Sequence, residues 1–269
     1  MYEFNYQNPA NVDAALAAHQ DADDGLFLAG GQTIITVMKQ RLAMPSDVID
    51  LNAIEDLRGI ATKDGVVSIR AMTTHADVAA NADVRRLIPA LSDLAAMIGD
   101  PHVRNRGTLG GSIANNDPAA DYPAAVVALG ATVHTNQRQI DAGDFFTNLF
   151  ETALEEGELI TKVDFPVPEK AGYNKVPNPA SRFAIVGVFT AKSKDGVRVA
   201  ITGAGPCVFR QSEIEDALNI DFVAAALDGI NVSADGLNSD IHASAQYRSQ
   251  MITVAARRAV TNAGQGDRT

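Results

Sequence analysis

The sequence predicts a folded protein that mixes strands and helices in two domains. The chain has 269 residues, of which 46% are hydrophobic and 20% charged, a balance typical of globular proteins with a sizeable core. Short strands alternate with helices in the first part, and longer alternating strands begin after about residue 165. We therefore expect one domain over 1–170 and a second over 171–269.

Composition argues against several classes of protein. Acidic residues outnumber basic ones by 33 to 22, which gives a formal net charge of −11, and no basic cluster forms a phosphate-tracking stripe, so we expect no nucleic-acid partner. The single cysteine, Cys207, cannot form an intrachain disulfide or hold an iron–sulfur cluster, and we expect a small buried apolar residue there. Without an apolar run of membrane-spanning length or a signal-peptide pattern, the sequence predicts a cytoplasmic protein with no membrane span.

The first clear element is a compact strand–turn–helix–strand unit in DGLFLAGGQTIITVMKQRLAMPSDVIDL. It contains a strand over 26–29, a helix over about 34–41, Pro45 as a stop and a strand over 47–50. Further predicted elements are a strand around VVSIRA, helices beginning near Thr74 and at Pro89, a helix in PAADYPAAVVALG with Asp117 as N-cap and Pro118 at its first position, and the strand ATVHT.

The second half is predicted to begin with a linker. Proline and asparagine punctuate FPVPEKAGYNKVPNPASR, after which RFAIVGVFTAKSKDGVRVAITGAGP alternates as a hairpin about Lys194-Asp195-Gly196. Apolar periodicity predicts helices in EIEDALN, DFVAAAL and AQYRSQMITVAARRAV. We expect a sheet of two or three strands with helices beyond residue 170.

Two glycine pairs in the first half are candidates for phosphate binding. In AGGQT, Gly30 and Gly31 follow a strand and precede a helix that Thr33 can cap. In TLGGS, Gly110 and Gly111 offer a second set of amides. Residues without Cβ let main-chain amides converge on phosphate oxygens, and two such nests suit a pyrophosphate. Ordinary turns remain the alternative, since neither pair completes a GxGxxG or GxxxxGK[ST] pattern.

Both segments resemble a known family. LAGGQTIITVMKQRLAMPSDVIDLN and VRNRGTLGGSIANNDPAADYPAAVVALGA resemble the two flavin-binding segments of the medium subunit of molybdenum hydroxylases, the carbon monoxide dehydrogenase/xanthine dehydrogenase family, and SDIHASAQYRSQMITVAARRAV resembles its C-terminal domain. The resemblance implies an α+β fold, with a two-part FAD-binding domain of the vanillyl-alcohol oxidase and p-cresol methylhydroxylase type and a smaller C-terminal sheet-and-helix domain. It also implies non-covalent FAD and association with a small iron–sulfur subunit and a large molybdopterin subunit, as a dimer of heterotrimers (a heterohexamer).

The resemblance also carries over individual site residues. The pyrophosphate would be wrapped from one side by Ala29, Gly30, Gly31, Gln32 and Thr33, and from the other by Thr108, Gly110, Gly111 and Ser112. Asp121 matches an acidic position that hydrogen-bonds FAD, with a solvated first-turn carboxylate as the alternative. Ile160 or Leu159, and Lys175, fall near positions that line the isoalloxazine, and Phe183 stands where some relatives carry a tyrosine.

Four basic residues near these motifs have open roles. Arg104 and Arg106 could meet phosphate or form surface salt bridges. His75 matches a helix-start position of the family pattern, and His102 could touch the cofactor or lie on the surface.

The implied activity is electron transfer within an oxidoreductase complex. The flavin would collect electrons from iron–sulfur clusters and deliver them to a diffusible acceptor, with substrate chemistry at molybdenum in another chain. No Ser/His/Asp set or metal-ligand cluster stands out in the sequence. A self-sufficient flavin oxidase and a flavin-less scaffold subunit remain as alternatives, and the substrate and final acceptor are left open.

Overall fold

The N-terminal part of the protein is a small parallel sheet with two helices. The computed structural model describes residues 1–264. This part comprises β1 (Asn5–Gln7), α1 (Val12–Gln20), β2 (Gly25–Leu28), α2 (Ile34–Lys39) and β3 (Asp47–Asp50), with strand order β1-β3-β2. The predicted strand–turn–helix–strand unit is confirmed. Ala15 and Ile49 are fully buried in the core of this part.

A five-stranded antiparallel sheet with a helical layer follows. Its strands are β4 (Ile60–Lys63), β5 (Val66–Arg70), β6 (Thr132–Thr135), β7 (Gln139–Asp141) and β10 (Ile160–Pro166), in the order β4-β5-β10-β6-β7. Between β5 and β6 lie α3 (His75–Ala80), α4 (Ala82–Leu87), α5 (Pro89–Ala96), α6 (Pro101–Arg104), α7 (Leu109–Asn115) and α8 (Tyr122–Leu129). Between β7 and β10 lie α9 (Ala142–Phe145), β8 (Phe146–Asn148) and β9 (Glu151–Thr152).

Helix α8 starts later than the sequence predicts. It begins at Tyr122, and Asp117 does not cap it but accepts a hydrogen bond from the amide of Ala119 in a local turn (2.8 Å). The carbonyls of Pro118 and Ala120 accept hydrogen bonds from the Thr202 hydroxyl at 3.0 and 2.6 Å. Thr202 belongs to the C-terminal part of the chain. Because it engages the carbonyls at 118 and 120, this segment is held as a turn.

The C-terminal part is a four-stranded antiparallel sheet covered by helices. It comprises β11 (Lys170–Pro177), β12 (Ala184–Ser193), β13 (Gly196–Thr202), β14 (Phe209–Arg210), α10 (Ser212–Ile220) and α11 (Ala245–Ala263). The hairpin about Lys194-Asp195-Gly196 is confirmed. The prediction of two or three strands is wrong, and DFVAAAL contains only a short 3-10 turn over Ala224–Leu227.

The predicted linker 165–182 is mostly strand. β11 pairs with β12 along its whole length, and only 178–183 forms a turn between them. Helix α11 packs so closely on this strand that a Cβ at Gly172 would collide with the carbonyl of Ala259. Tertiary packing therefore overrides the proline and asparagine content of the segment.

The four-stranded sheet β11–β14, called the second sheet from here on, lies between the N-terminal half of the chain and the helices α10 and α11. Side chains of one face, among them Tyr173 and Phe189, belong to the same core as α5 and α8. The other face, with Val188 and Ile201, packs against α10 and α11. The predicted boundary at 170/171 falls at the first residue of β11, but the core runs across it, so both parts can contribute to one site.

Candidate functional site

A cavity of about 520 Å³ lies where both glycine segments meet. Its volume is within the usual range for small-molecule sites. Predicted site residues that line it are Ala29, Gln32, Thr33, Thr108, Gly110, Gly111, Ser112, Asp121 and Ile160, together with Leu159, Phe183 and His75. Gly30, Gly31 and Lys175 are not among the residues that line it. The structure therefore gathers the two glycine segments and the start of α8 around one space.

The first glycine segment presents free backbone amides. Within residues 1–264, the N–H groups of Gly30, Gly31, Gln32 and Thr33 donate to no protein acceptor. Gly31 adopts φ +72°, which favours glycine, and the Thr33 side chain makes no capping hydrogen bond, contrary to prediction. Such a run of unpaired amides beside a cavity can bind an anion.

The second glycine segment has a different character. Gly110 and Gly111 lie in the first turn of α7, where the Gly110 amide donates to the Ala71 carbonyl (2.8 Å) and the Gly111 amide to the Thr108 hydroxyl (3.1 Å). The predicted second nest of free amides is therefore wrong. This segment instead offers a close-packed wall, with the Ser112 hydroxyl at its surface.

Close packing explains both glycine pairs. A Cβ at Gly30 would collide with the Arg106 carbonyl, and one at Gly110 would come within 2.7 Å of the Ala71 Cβ. A Cβ at Gly111 would meet only the Thr108 hydroxyl at 3.0 Å and the Ala29 Cβ at 3.3 Å, both on the cavity wall. Glycine thus serves packing at 30 and 110, and leaves room in the cavity at 111.

Asp121 sits at the start of α8 in a buried polar network. Its carboxylate accepts hydrogen bonds from the Tyr173 hydroxyl (2.5 Å) and from Lys175 Nζ (3.1 Å to Oδ2). Asp121 is only 4% exposed, so the alternative of a solvated carboxylate is wrong. Lys175 reaches Asp121 rather than the cavity, which differs from its expected place beside the isoalloxazine.

The charges of two other cavity residues are set by their surroundings. Burial, followed by the nearby Arg104 guanidinium, lowers the pKa of His75 to about 4, so its imidazole is neutral at pH 7. The Arg138 guanidinium holds the pKa of Glu158 down to about 2, and this carboxylate is ionised and paired at 3.0 Å.

The remaining candidates have other roles. Arg104 donates to the carbonyls of Ile98 and Gly99 at 2.9 Å, which is neither of the predicted roles. His102 and Arg106 do not line the cavity. Cys207 is half-buried rather than buried. Sequence reasoning missed Tyr173, although Tyr173 and Lys175 are two apart, as expected for one face of a strand.

Two further features are absent from the described residues. None of the helices over 1–264 is long and apolar enough to cross a membrane. Nor does this part of the chain hold a group of three or more side chains arranged to ligate a metal ion.

Comparisons with known proteins show the family of this chain. Residues 2–168 match the family described as the FAD binding domain in molybdopterin dehydrogenase. The chain is 33% identical to the glyceraldehyde dehydrogenase medium chain of Sulfolobus acidocaldarius, over 96% of this chain and 97% of the relative. It is 31% identical to the carbon monoxide dehydrogenase medium chain of Hydrogenophaga pseudoflava, over 97% and 96%. A solved structure of quinoline 2-oxidoreductase from Pseudomonas putida superposes with a TM-score of 0.88 at 29% identity, over 98% of both chains.

Proposed function

The chain belongs to the family of FAD-binding domains of molybdopterin dehydrogenases, and from this premise we propose how its cavity serves that family's activity. The predicted function, an FAD-binding electron-transfer subunit of a molybdenum hydroxylase, is confirmed at the level of the family, as are the fold class and the cofactor. Which residues hold FAD, and which partners and compartment apply, belong to our proposal.

The cavity fits FAD on three observations. Its volume of about 520 Å³ is that of a small-molecule site. The glycine segment beside it carries the unpaired amides of 30–33, which suit a pyrophosphate. Its lining also includes the apolar side chains of Leu159, Ile160 and Phe183, which are available to contact a flat ring system. The unpaired amides carry the proposal, because they are four adjacent donors without a protein acceptor beside the cavity.

Each segment of the wall then has a distinct task. The amides of 30–33 bind the pyrophosphate, and the Thr108 and Ser112 side chains close it from the other side. Asp121 accepts a hydrogen bond from the cofactor. Leu159 and Ile160 exclude water from the ring. When bound, FAD supplies the redox chemistry, and the protein supplies its orientation and surroundings.

We further propose the partners that the resemblance implied. The relatives above are named as medium chains, and this chain would act with a small iron–sulfur subunit and a large molybdopterin subunit, as a dimer of heterotrimers in the cytoplasm. The substrate would bind the large subunit, and electrons would leave this chain for a diffusible acceptor.

A change of one backbone amide tests the proposed pyrophosphate site. Thr33 has φ −93°, about 30° from the value that proline fixes, so Thr33→Pro removes an N–H with a moderate change of backbone angle. Thr33→Ala keeps the amide and is the matched control. We expect Thr33→Pro to weaken FAD binding by about tenfold and Thr33→Ala to bind nearly as the wild type. Equal affinities of the two variants would contradict amide recognition.

Co-expression tests the larger assignment. We expect substrate-dependent dye reduction only when the chain is purified with its small and large partners. Full substrate turnover by the chain alone would favour the self-sufficient oxidase, and a chain that stays colourless with excess FAD would favour the flavin-less scaffold.

A further inference from the structure

A buried ion pair joins the second sheet to the wall of the cavity. Lys175 Nζ lies 2.9 Å from Oδ1 of Asp121, and the two side chains are 2% and 4% exposed. The Tyr173 hydroxyl donates to the same carboxylate at 2.5 Å. Both donors come from β11, so a strand of the second sheet holds a carboxylate at the start of α8.

The ammonium of Lys175 is engaged by protein oxygens. It donates to Oδ2 of Asp121 at 3.1 Å and to the Met97 carbonyl at 2.9 Å, besides its ion-pair contact with Oδ1 of Asp121. Met97 is followed directly by Ile98 and Gly99, which line the cavity. Lys175 itself does not line the cavity. We therefore expect its effect on a ligand to pass through Asp121 and the 97–99 segment.

We propose that Lys175 is a positioning residue of the FAD site, which acts as the buried counter-ion of Asp121 and fixes the place of that carboxylate on the cavity wall. The inference rests on the proposed function. It extends the FAD site beyond residues 2–168, the stretch that the family match covers, and makes the second sheet part of the site.

The physical reason is the cost of an unpaired buried charge. A carboxylate taken out of water without a counter-ion binds a proton instead. Burial raises the pKa of Asp121, and Lys175 opposes that rise. Removal of the ammonium would therefore leave a carboxyl that is neutral at lower pH and ionised only at higher pH.

Other ionisable groups lie beside Asp121 or on the cavity wall, and they contribute to the pH profile of every variant alike. Burial raises the pKa of Tyr173 well above its usual value, and burial also raises the pKa of Tyr122. Elsewhere on the cavity wall, the pKa of His75 is about 4, and burial raises the pKa of Asp117 from its usual acidic value. Arg182 and Glu158 also line the cavity, and Glu158, with a pKa of about 2, stays ionised.

The test measures FAD affinity of the full chain against pH. For Lys175→Met, we expect the dissociation constant at about pH 6 to rise by about ten- to a hundredfold and to recover partly at about pH 9. The wild type should lose less affinity at about pH 6 than Lys175→Met, because the ammonium opposes the rise in the pKa of Asp121, and Asp121→Asn should show no pH dependence that arises from this position.

A matched control is available in a second buried cation. Arg248 is 3% exposed, pairs with Asp240 at 2.7 Å and donates to the carbonyls of Ile185 and Gly203. It does not line the cavity. Arg248→Met should lower thermal stability without a pH-dependent loss of FAD affinity, which separates positioning of the site from general stability.

A double-mutant cycle decides whether Lys175 acts through Asp121. Lys175→Met combined with Asp121→Asn should bind FAD about as weakly as Asp121→Asn alone, and it buries no unpaired charge should the single variant fail to fold. Additive losses, or a flat pH profile for Lys175→Met, would overturn the inference. A wild-type chain that fails to bind FAD would instead overturn the proposed function.

Discussion

Two adjacent glycines in α7, Gly110 and Gly111, should respond differently to substitution by alanine: one variant loses stability and the other loses affinity for FAD. A Cβ at Gly111 would meet the Thr108 hydroxyl at 3.0 Å and the Ala29 Cβ at 3.3 Å, both on the cavity wall. A Cβ at Gly110 would come within 2.7 Å of the Ala71 Cβ and 2.8 Å of its carbonyl oxygen. Gly111→Ala should therefore weaken FAD binding, and Gly110→Ala should weaken the fold itself.

The magnitudes follow from these contacts. Alanine in place of glycine in a helix gains about 1 kcal/mol at either position. At Gly111 the tight contact with the Thr108 hydroxyl offsets part of this gain, so the free energy of unfolding should stay within about 1 kcal/mol of the wild type. At Gly110 the neighbours are a backbone carbonyl and a Cβ, which cannot rotate away. Overpacking there costs about 1–3 kcal/mol, for a net loss of up to about 2 kcal/mol.

The assay pairs urea unfolding of the FAD-free chain with FAD titration by fluorescence. We expect Gly111→Ala to keep its unfolding midpoint and to lose at least about tenfold in affinity, or about 1.4 kcal/mol. Gly110→Ala should unfold at lower urea, with a melting temperature lower by up to about 8 °C. Undiminished affinity in Gly111→Ala, or unchanged stability in Gly110→Ala, would refute the assignment of the two glycines.

Two further predictions concern the cofactor and pH. FAD should bind non-covalently, so acid precipitation should release the yellow colour into the supernatant, and colour retained in the pellet would contradict this. Because burial lowers the pKa of His75 to about 4, the unfolded chain binds a proton first as the pH falls from about 6.5, and stability should drop by about 2 kcal/mol between about pH 7 and pH 5. In His75→Gln, urea unfolding at the two pH values should show this drop reduced, and an equal drop would exclude His75 as its source.

The sequence located the glycine segments but could not assign tasks to their amides. Gly110 and Gly111 look equivalent in TLGGS, yet one amide donates to Ala71 and the other to Thr108. The first partner lies on another element, and its approach depends on how α7 packs after β5. Periodicity and spacing report local structure, so a hydrogen bond between distant segments stays outside their reach. The amides of 30–33 were predictable because their strand and helix are adjacent in sequence.

The predicted linker 165–182 is a second case in which contacts between distant segments override the local sequence pattern. Its prolines and asparagines are typical of a loop, but β11 gains a full ladder with β12 and a close contact with α11 at Gly172. The network of Tyr173 and Lys175 with Asp121 spans more than fifty positions. Because 165–182 was predicted as a linker, the alternation of side chains along a strand was not expected there. That alternation would have placed Tyr173 and Lys175 on one face.

The electrostatics of the cavity explain how a chain of net charge −11 can hold an anionic ligand. Its buried charges are largely paired, Asp121 with Lys175 and Glu158 with Arg138, and His75 is neutral. Since Lys175 is engaged by Asp121 and the Met97 carbonyl, attraction for a pyrophosphate comes from the amide dipoles of 30–33 and from the Arg182 guanidinium on the cavity wall. Dipoles act at contact distance and are fixed by the fold, whereas the acidic surface is screened by salt within about 10 Å. Recognition and net charge are therefore separable in this protein, and its acidity does not argue against a phosphate ligand.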